Sequence, residues 1–153
     1  MPPAVLRILV DADACPVKDE VYRVALRHEV AVVIVSNQRI RIPDHPLVAR
    51  AVVSDAFDAA DDWIAETAGT RDVVITGDIL LADRALKAGA TVIAPTGKPF
   101  TAASIGGAVA TRAIMADLRA GIESIGGPPP FGKADRSRFL QALDAALVRL
   151  KRC

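Results

Sequence analysis

The chain has little that would staple it, span a membrane or stack on bases. Only two cysteines occur in 153 residues, Cys15 and Cys153, at opposite ends, with no C-x-x-C pair and no neighbouring histidine. This excludes a disulfide framework and a cysteine zinc site, and fits a reducing, cytoplasmic setting. Aromatic residues make up 4%, and Trp63, Tyr22 and the four Phe are not interleaved with basic residues. A stacking platform for single-stranded nucleic acid is therefore not expected. No apolar run reaches the ~18–20 residues of a membrane span, because charges interrupt each candidate, so no membrane partner is expected. The opening Met1-Pro2-Pro3-Ala4-Val5-Leu6-Arg7 lacks the basic and then apolar stretches of an export signal. Charge of one sign is not in excess either. With 19 Lys and Arg against 18 Asp and Glu, the net charge is +1. Bulk electrostatic coating of nucleic acid is excluded, while a local basic face stays open.

What is present is a packable α/β pattern. Hydrophobic residues are 52% of the chain, charged ones 24%, and the mean hydropathy is +0.31. A chain of ~150 residues hides about 68–70% of its unfolded surface and needs no extra staples. Val5–Val10, Val30–Ser36, Leu47–Val53, Asp72–Thr76 and Thr91–Ala94 read as strands, several of them continuous apolar runs suited to burial on both faces. Val17–His28, opened by Pro16, then Asp58–Ala68 before Gly69, and Ile79–Ala88 before Gly89 read as helices. The alternation predicts a single α/β domain over 1–153, three layers with a mostly parallel central sheet and helices on both faces. Within it, 1–100 is the α/β core and 101–120 a helix capped by Thr101 or Ser104. Residues 121–135 form a Gly/Pro-rich loop, and 136–153 a C-terminal helix with Phe139, Leu143, Leu147 and Leu150 near one stripe.

Open parallel sheets bind ligands at the carboxyl ends of their strands. Three predicted strands run into acids there: Val10 into Asp11 and Asp13, Val53 into Asp55, Asp58 and Asp61, and Thr76-Gly77 into Asp78. Carboxylates gathered at one rim repel each other unless a cation neutralises them. Oxygen-preferring Mg²⁺ or Mn²⁺ is the natural partner, and such an ion promotes phosphoryl chemistry. Each acid also has a plain structural alternative: Asp78 as a helix N-cap, Asp58 with Asp61 as a capping pair, Asp13 as a turn residue, Asp62 on a solvated face. Asp11 is hardest to explain that way, because an acid ending a buried strand is costly unless partnered. Asn37, Gln38, Arg39 and Arg41 follow the second strand and offer phosphate or base contacts, and Thr76 offers a hydroxyl to substrate or water. Cys15 sits at a helix start, where a dipole favours thiolate, but a buried turn explains Cys15-Pro16 equally. His28 and His45 lack ligand spacing and are expected on the surface.

The blocks Val10-Asp11-Ala12-Asp13-Ala14-Cys15-Pro16, Ser36-Asn37-Gln38, Phe57-Asp58-Ala59-Ala60-Asp61, Val74-Ile75-Thr76-Gly77-Asp78-Ile79 and Gly126-Gly127-Pro128 carry a resemblance to the YaiI/YqxD family. That family resembles a divergent branch of the PIN-like fold. The resemblance implies a Mg²⁺- or Mn²⁺-dependent nuclease acting on phosphodiesters, with RNA as substrate and partner. It implies Asp11 as the acid ending the first strand, Asp58 and Asp61 as the middle acidic block, and Asp78 as the Thr-x-Asp acid. These four are the expected catalytic and metal residues, with Asp13, Asn37, Arg39 and Thr76 facing substrate. Asp83 is outside that pattern. The chain also resembles haloacid-dehalogenase-like phosphatases, with Asp11 as nucleophile, Asp13 as general acid, Ser36 after the second strand and Gly77-Asp78 through Asp83. Against this stands the absence of any Lys between Asp19 and Leu86, where that chemistry holds its phosphoryl group. A non-catalytic metal- or nucleic-acid-binding module is the third reading, and a homo-oligomer is left open.

Overall fold

A computed structural model describes residues 5–56, 58–107 and 131–152. Five parallel strands and one short antiparallel strand form a single sheet in the order β3-β2-β1-β4-β5-β6. They are β1 Arg7–Asp11, β2 Ala31–Ser36, β3 Val48–Val52, β4 Asp72–Ile75, β5 Thr91–Ile93 and β6 Pro99–Phe100. Helices α1 Lys18–Arg27, α2 Ala59–Thr67 and α3 Ile79–Lys87 lie in the connections. The helical residues 102–107 are α4, and α5 is Lys133–Lys151.

Strand alternation divides the apolar residues between two cores. Ile8, Val10, Val32, Ile34, Val73, Ile75 and Ile93 pack against Val21, Val24 and Ala25 of α1 and Phe139, Leu143 and Leu147 of α5. Leu9, Val35, Val74 and Val92 point the other way, onto Ile64 of α2, Leu81 and Ala85 of α3, and Ile105 of α4. The result is three layers, because a sheet apolar on both faces must be covered on both.

Strand β1 starts and ends two polar contacts apart from its expected limits. Val5 is largely solvent-exposed and lies before the strand. Arg7 opens the strand instead, its guanidinium Nε and Nη2 meeting Asp72 Oδ1 and Oδ2 at 2.9 and 3.0 Å in the register partner on β4. At the other end Asp11 still pairs with Val35, extending the strand onto an acid.

Other elements differ in detail from expectation. Thr101 rather than Ser104 caps α4, in a reciprocal box: Ser104 N–H donates to Thr101 Oγ1 and Thr101 N–H to Ser104 Oγ, both at 3.1 Å. The predicted helix over 108–120 and the loop over 121–130, with Gly126-Gly127-Pro128, lie outside the described residues, as does Phe57. Helix α5 begins at Lys133, earlier than the expected 136, because the Asp135 carboxylate accepts the Gly132 N–H at 3.0 Å and supports a first turn. His28 is not a free surface residue; its Nε2 lies 2.6 Å from Asp144 Oδ1, tying the end of α1 to α5.

Strand β6 was not legible as a strand, since two residues carry no periodicity. It exists because the chain reverses at Gly97, which has φ +90, and Ala94 N–H donates to Lys98 O at 2.9 Å. A Cβ on Gly97 would lie 2.7 Å from the Arg138 carbonyl carbon, so α5 packs directly onto this turn. Gly97→Ala meets both a left-handed backbone and backbone overlap. We expect it to lower unfolding free energy by about 2 kcal/mol or more, read from urea denaturation midpoints. An unchanged midpoint would show that α5 does not rest on this turn.

Candidate functional site

The strand order reverses direction between β1 and β4, and that switch point is where an open α/β sheet leaves a crevice at its carboxyl edge. Asp11 ends β1 there. The segment Thr76-Gly77-Asp78 leaves β4 beside it. Among the described residues, only four buried residues are polar or charged: Asp11, Ser36, Asp72 and Thr76. Three of them are at this edge.

Thr76 is 1% exposed and its hydroxyl does two things at once. It donates to Asp11 Oδ2 at 3.0 Å and accepts the Asp78 backbone N–H at 3.0 Å. Thr76, expected to face substrate, stands between the two acids. Its single donor is spent on Asp11, so it positions the two acids instead. Asp78 in turn caps α3, its Oδ1 accepting from Leu80 N–H at 2.9 Å and Leu81 N–H at 3.3 Å. The plain reading of Asp78 as a helix cap holds, and its charge stays beside Asp11 and Asp61 all the same.

Asp13 is exposed, and its Oδ1 accepts the Ser36 hydroxyl at 2.8 Å. That hydroxyl also accepts the Gln38 N–H at 3.0 Å, so Ser36 at the end of β2 orients Asp13 and the following loop together. Asp58 occupies the N-cap position of α2 but makes no side-chain cap, and its φ of 61 is left-handed. The capping-pair explanation of Asp58 and Asp61 thus fails: the backbone turns its carboxylate away from the helix amides. Aspartate tolerates this conformation better than most residues, although it carries some strain.

A cleft of about 260 Å³ opens over these groups, with Asp11, Asp13, Asn37, Ser54, Asp58 and Asp61 in its walls. Asp78 adjoins it without lining it. Arg39 lines a neighbouring groove. Asp55 is exposed outside the cleft, and Asp83 is bound to Lys87 at 3.0 Å one turn along α3. Cys15 is buried, and that burial pushes its thiol above the ordinary range, against a reactive thiolate. Ser54 in the cleft wall and Ser36 behind it are the residues that sequence reasoning valued least. Their position after β3 and β2 was the available signal.

The electrostatics of this edge are unusual for the molecule. Asp72, Asp62, Asp83, Asp135, Asp144 and Glu20 each have a basic partner. Among the described residues none of Asp11, Asp13, Asp58, Asp61 or Asp78 is in an ion pair. Burial raises Asp11 above the usual carboxylate range; the Thr76 hydrogen bond opposes this, and the charges of Asp13 and Asp78 add to it. Asp61 is pushed up to about 6, by burial first, then by the charges of Asp11, Asp78 and Asp58 and a hydrogen bond with Asp58. No group of three or more His, Cys, Asp or Glu among the described residues stands within joint reach of a metal ion.

The family described as "Uncharacterized BCR, YaiI/YqxD family" matches residues 9–149. The chain belongs to the YaiI/YqxD family. A UPF0178 protein of Sphingopyxis alaskensis is 75% identical over 146 residues, covering 95% of each chain. One of Nitrobacter winogradskyi is 60% identical over 147 residues, covering 96% of this chain and 94% of its own. One of Rhodopseudomonas palustris is 57% identical over 152 residues, covering 99% and 96%. Of the residues that carry the YaiI/YqxD resemblance, Asp11, Asp13, Asn37, Asp58 and Asp61 line one strand-end cleft.

A raised carboxyl has a defined consequence for stability. Folded Asp61 keeps a proton that the unfolded chain has released, so the folded state binds more protons between about pH 4 and 6. Metal-free protein should therefore lose stability as pH rises through about 6, and Asp61→Asn should escape that loss. Urea midpoints in EDTA should place the variant above wild type near neutral pH, with the gap closing in acid. Two parallel pH profiles would mean that the carboxyl titrates normally.

Proposed function

We propose that this crevice binds Mg²⁺ or Mn²⁺ and hydrolyses phosphodiester bonds, with RNA as substrate. The observation that supports this most is the group of carboxylates that no cation among the described residues pairs with, at the switch point of a parallel sheet. The acids fit a hard cation by donor type, all of them oxygen. Because no three already converge, they fit a hydrated ion held through one or two carboxylates and completed by substrate phosphate, the way Mg²⁺ is usually bound. One or two of Asp11, Asp58, Asp61 and Asp78 would hold it directly, the others acting through its waters. Bound there, the cation supplies charge stabilisation to a phosphoryl oxygen and acidifies water for in-line attack.

The chain's own residues have separate tasks. Thr76 keeps Asp11 fixed against its own desolvation. Asp61, in the cleft wall beside the other acids, takes a proton from the attacking water. Asp13, aimed by Ser36, and Asn37 in the cleft wall contact the substrate backbone. The PIN-like character implied by the resemblance supports the same reading by analogy of fold. The phosphatase reading is disfavoured by Asp83, whose carboxylate is engaged by Lys87 instead of joining the other acids.

Calorimetric titration of Mn²⁺ into metal-free protein, paired with cleavage assays on single-stranded and structured RNA, tests the reading. Asp11→Asn keeps an oxygen to accept the Thr76 hydrogen bond. We expect it to weaken Mn²⁺ binding by about tenfold or more, as outer partners and ligands of metal sites commonly do, and to abolish cleavage. Equal Mn²⁺ affinity in wild type and variant, or RNA left intact by wild type with Mn²⁺, would overturn it. Hydrolysis of small phosphate monoesters alone would point to the phosphatase class, and metal binding without any turnover to a binding module.

A further inference from the structure

Residues 37–47 connect β2 to β3 by crossing the α1/α5 face of the sheet. Ile40 and Ile42 pack onto the core of that face, while Arg39 and Arg41 are exposed. The segment therefore alternates apolar-in and basic-out, and its partly buried isoleucines leave the two arginines on its outer side. A groove of about 540 Å³ follows it, lined by Arg39, Arg41, Asp44, His45 and Arg50 among others. Arg50 donates through Nη1 to the Ile40 carbonyl at 2.9 Å, which fixes the loop to the edge strand. His45 Nδ1 accepts the Leu47 N–H at 3.0 Å, so in the neutral ring the proton is on Nε2 and the free nitrogen is a donor. Among the described residues, Arg39 and Arg41 make no hydrogen bond or ion pair, and Asp44 is the one acid in the lining.

This groove presents donors and positive charge, and it begins close to the acidic cleft. Asn37 lines the cleft and Arg39 lines the groove, two residues on, so at most about 7 Å of chain separates the two. An acidic pocket that engages one phosphate through a cation, beside a basic channel for others, suits a ligand with phosphates repeated along a strand. We propose that the β2–β3 crossover is a binding track for the phosphate backbone of a single nucleic-acid strand, with Arg39 and Arg41 each taking one phosphate. The track positions the strand so that a neighbouring phosphate enters the acidic cleft, and in that respect it rests on the nuclease reading. The contacts are to backbone, so they set register and not sequence.

Binding is measured apart from chemistry. A short fluorescein-labelled single-stranded RNA is titrated with the full chain in EDTA at several NaCl concentrations, with anisotropy as readout. Wild type should bind with a salt slope that Arg39→Ala/Arg41→Ala makes shallower by about 1.4, two phosphates at ~0.7 each, while affinity falls roughly tenfold. Asp11→Asn should bind at least as tightly as wild type, because it removes a repelling charge outside the track. An unchanged slope and affinity in the double arginine variant would overturn the proposal, as would wild type that fails to bind RNA or binds an acidic peptide equally well. The two readings fail separately. If the arginine variant loses RNA binding but wild type never cleaves, the track stands and the nuclease falls. If Asp11→Asn abolishes cleavage while the arginine variant binds normally, the reverse holds.

Discussion

Thr76 has one hydroxyl, and the carboxyl edge of the sheet is organised around how it is used. Asp11 follows three fully buried apolar residues, Ile8, Leu9 and Val10, and desolvation alone would make its charge costly. The Thr76 hydroxyl offsets part of that cost while the same oxygen holds the Asp78 N–H, joining β1 to the start of α3 across the switch point. Because Asp78 then caps α3, one side chain links the buried acid, the turn after β4 and the helix that covers the second core. A valine here would fill the space and leave both partners unsatisfied, each such loss costing ~1–3 kcal/mol.

The two ends of the sheet treat their acids in opposite ways. At the amino end, Asp72 is as buried as Asp11 but receives two Arg7 hydrogen bonds and the Gly69 N–H, a complete structural solution. At the carboxyl end, hydroxyls and amides orient the acids, but among the described residues no cation pairs with them. Structural ion pairing elsewhere is used freely, from Arg136 with Glu20 to Arg84 with Asp62. Leaving one edge uncompensated is destabilising for the folded chain, and such sites are where function commonly resides.

Much of the fold was legible because it depends on local periodicity and on burial from both sides. The runs Val73-Val74-Ile75 and Val32-Val33-Ile34-Val35 are recognisable as interior strands, and Gly89 marks the end of α3 whatever lies above it. The misjudged parts depend on partners distant in sequence. Strand β6 follows from a turn at Gly97 that α5 covers, and the start of β1 from an ion pair spanning Arg7 and Asp72. His28 was placed on the surface because nothing near it in sequence announces Asp144.

The candidate site divides along the same line. Sequence by itself determined which chemistry is available: oxygen-donor acids after three strands, few thiols, no aromatic platform and a local run of arginines, since composition and strand-end position need no partner to be read. Tertiary structure alone decided what each group does. It made Thr76 the brace of Asp11, freed Asp58 from capping by a left-handed backbone, and tied Asp83 to Lys87. It also set Arg39 in the lining of a groove beside the cleft. These roles follow from distances across the sheet and from low-dielectric burial, quantities that exist only once the strands are paired.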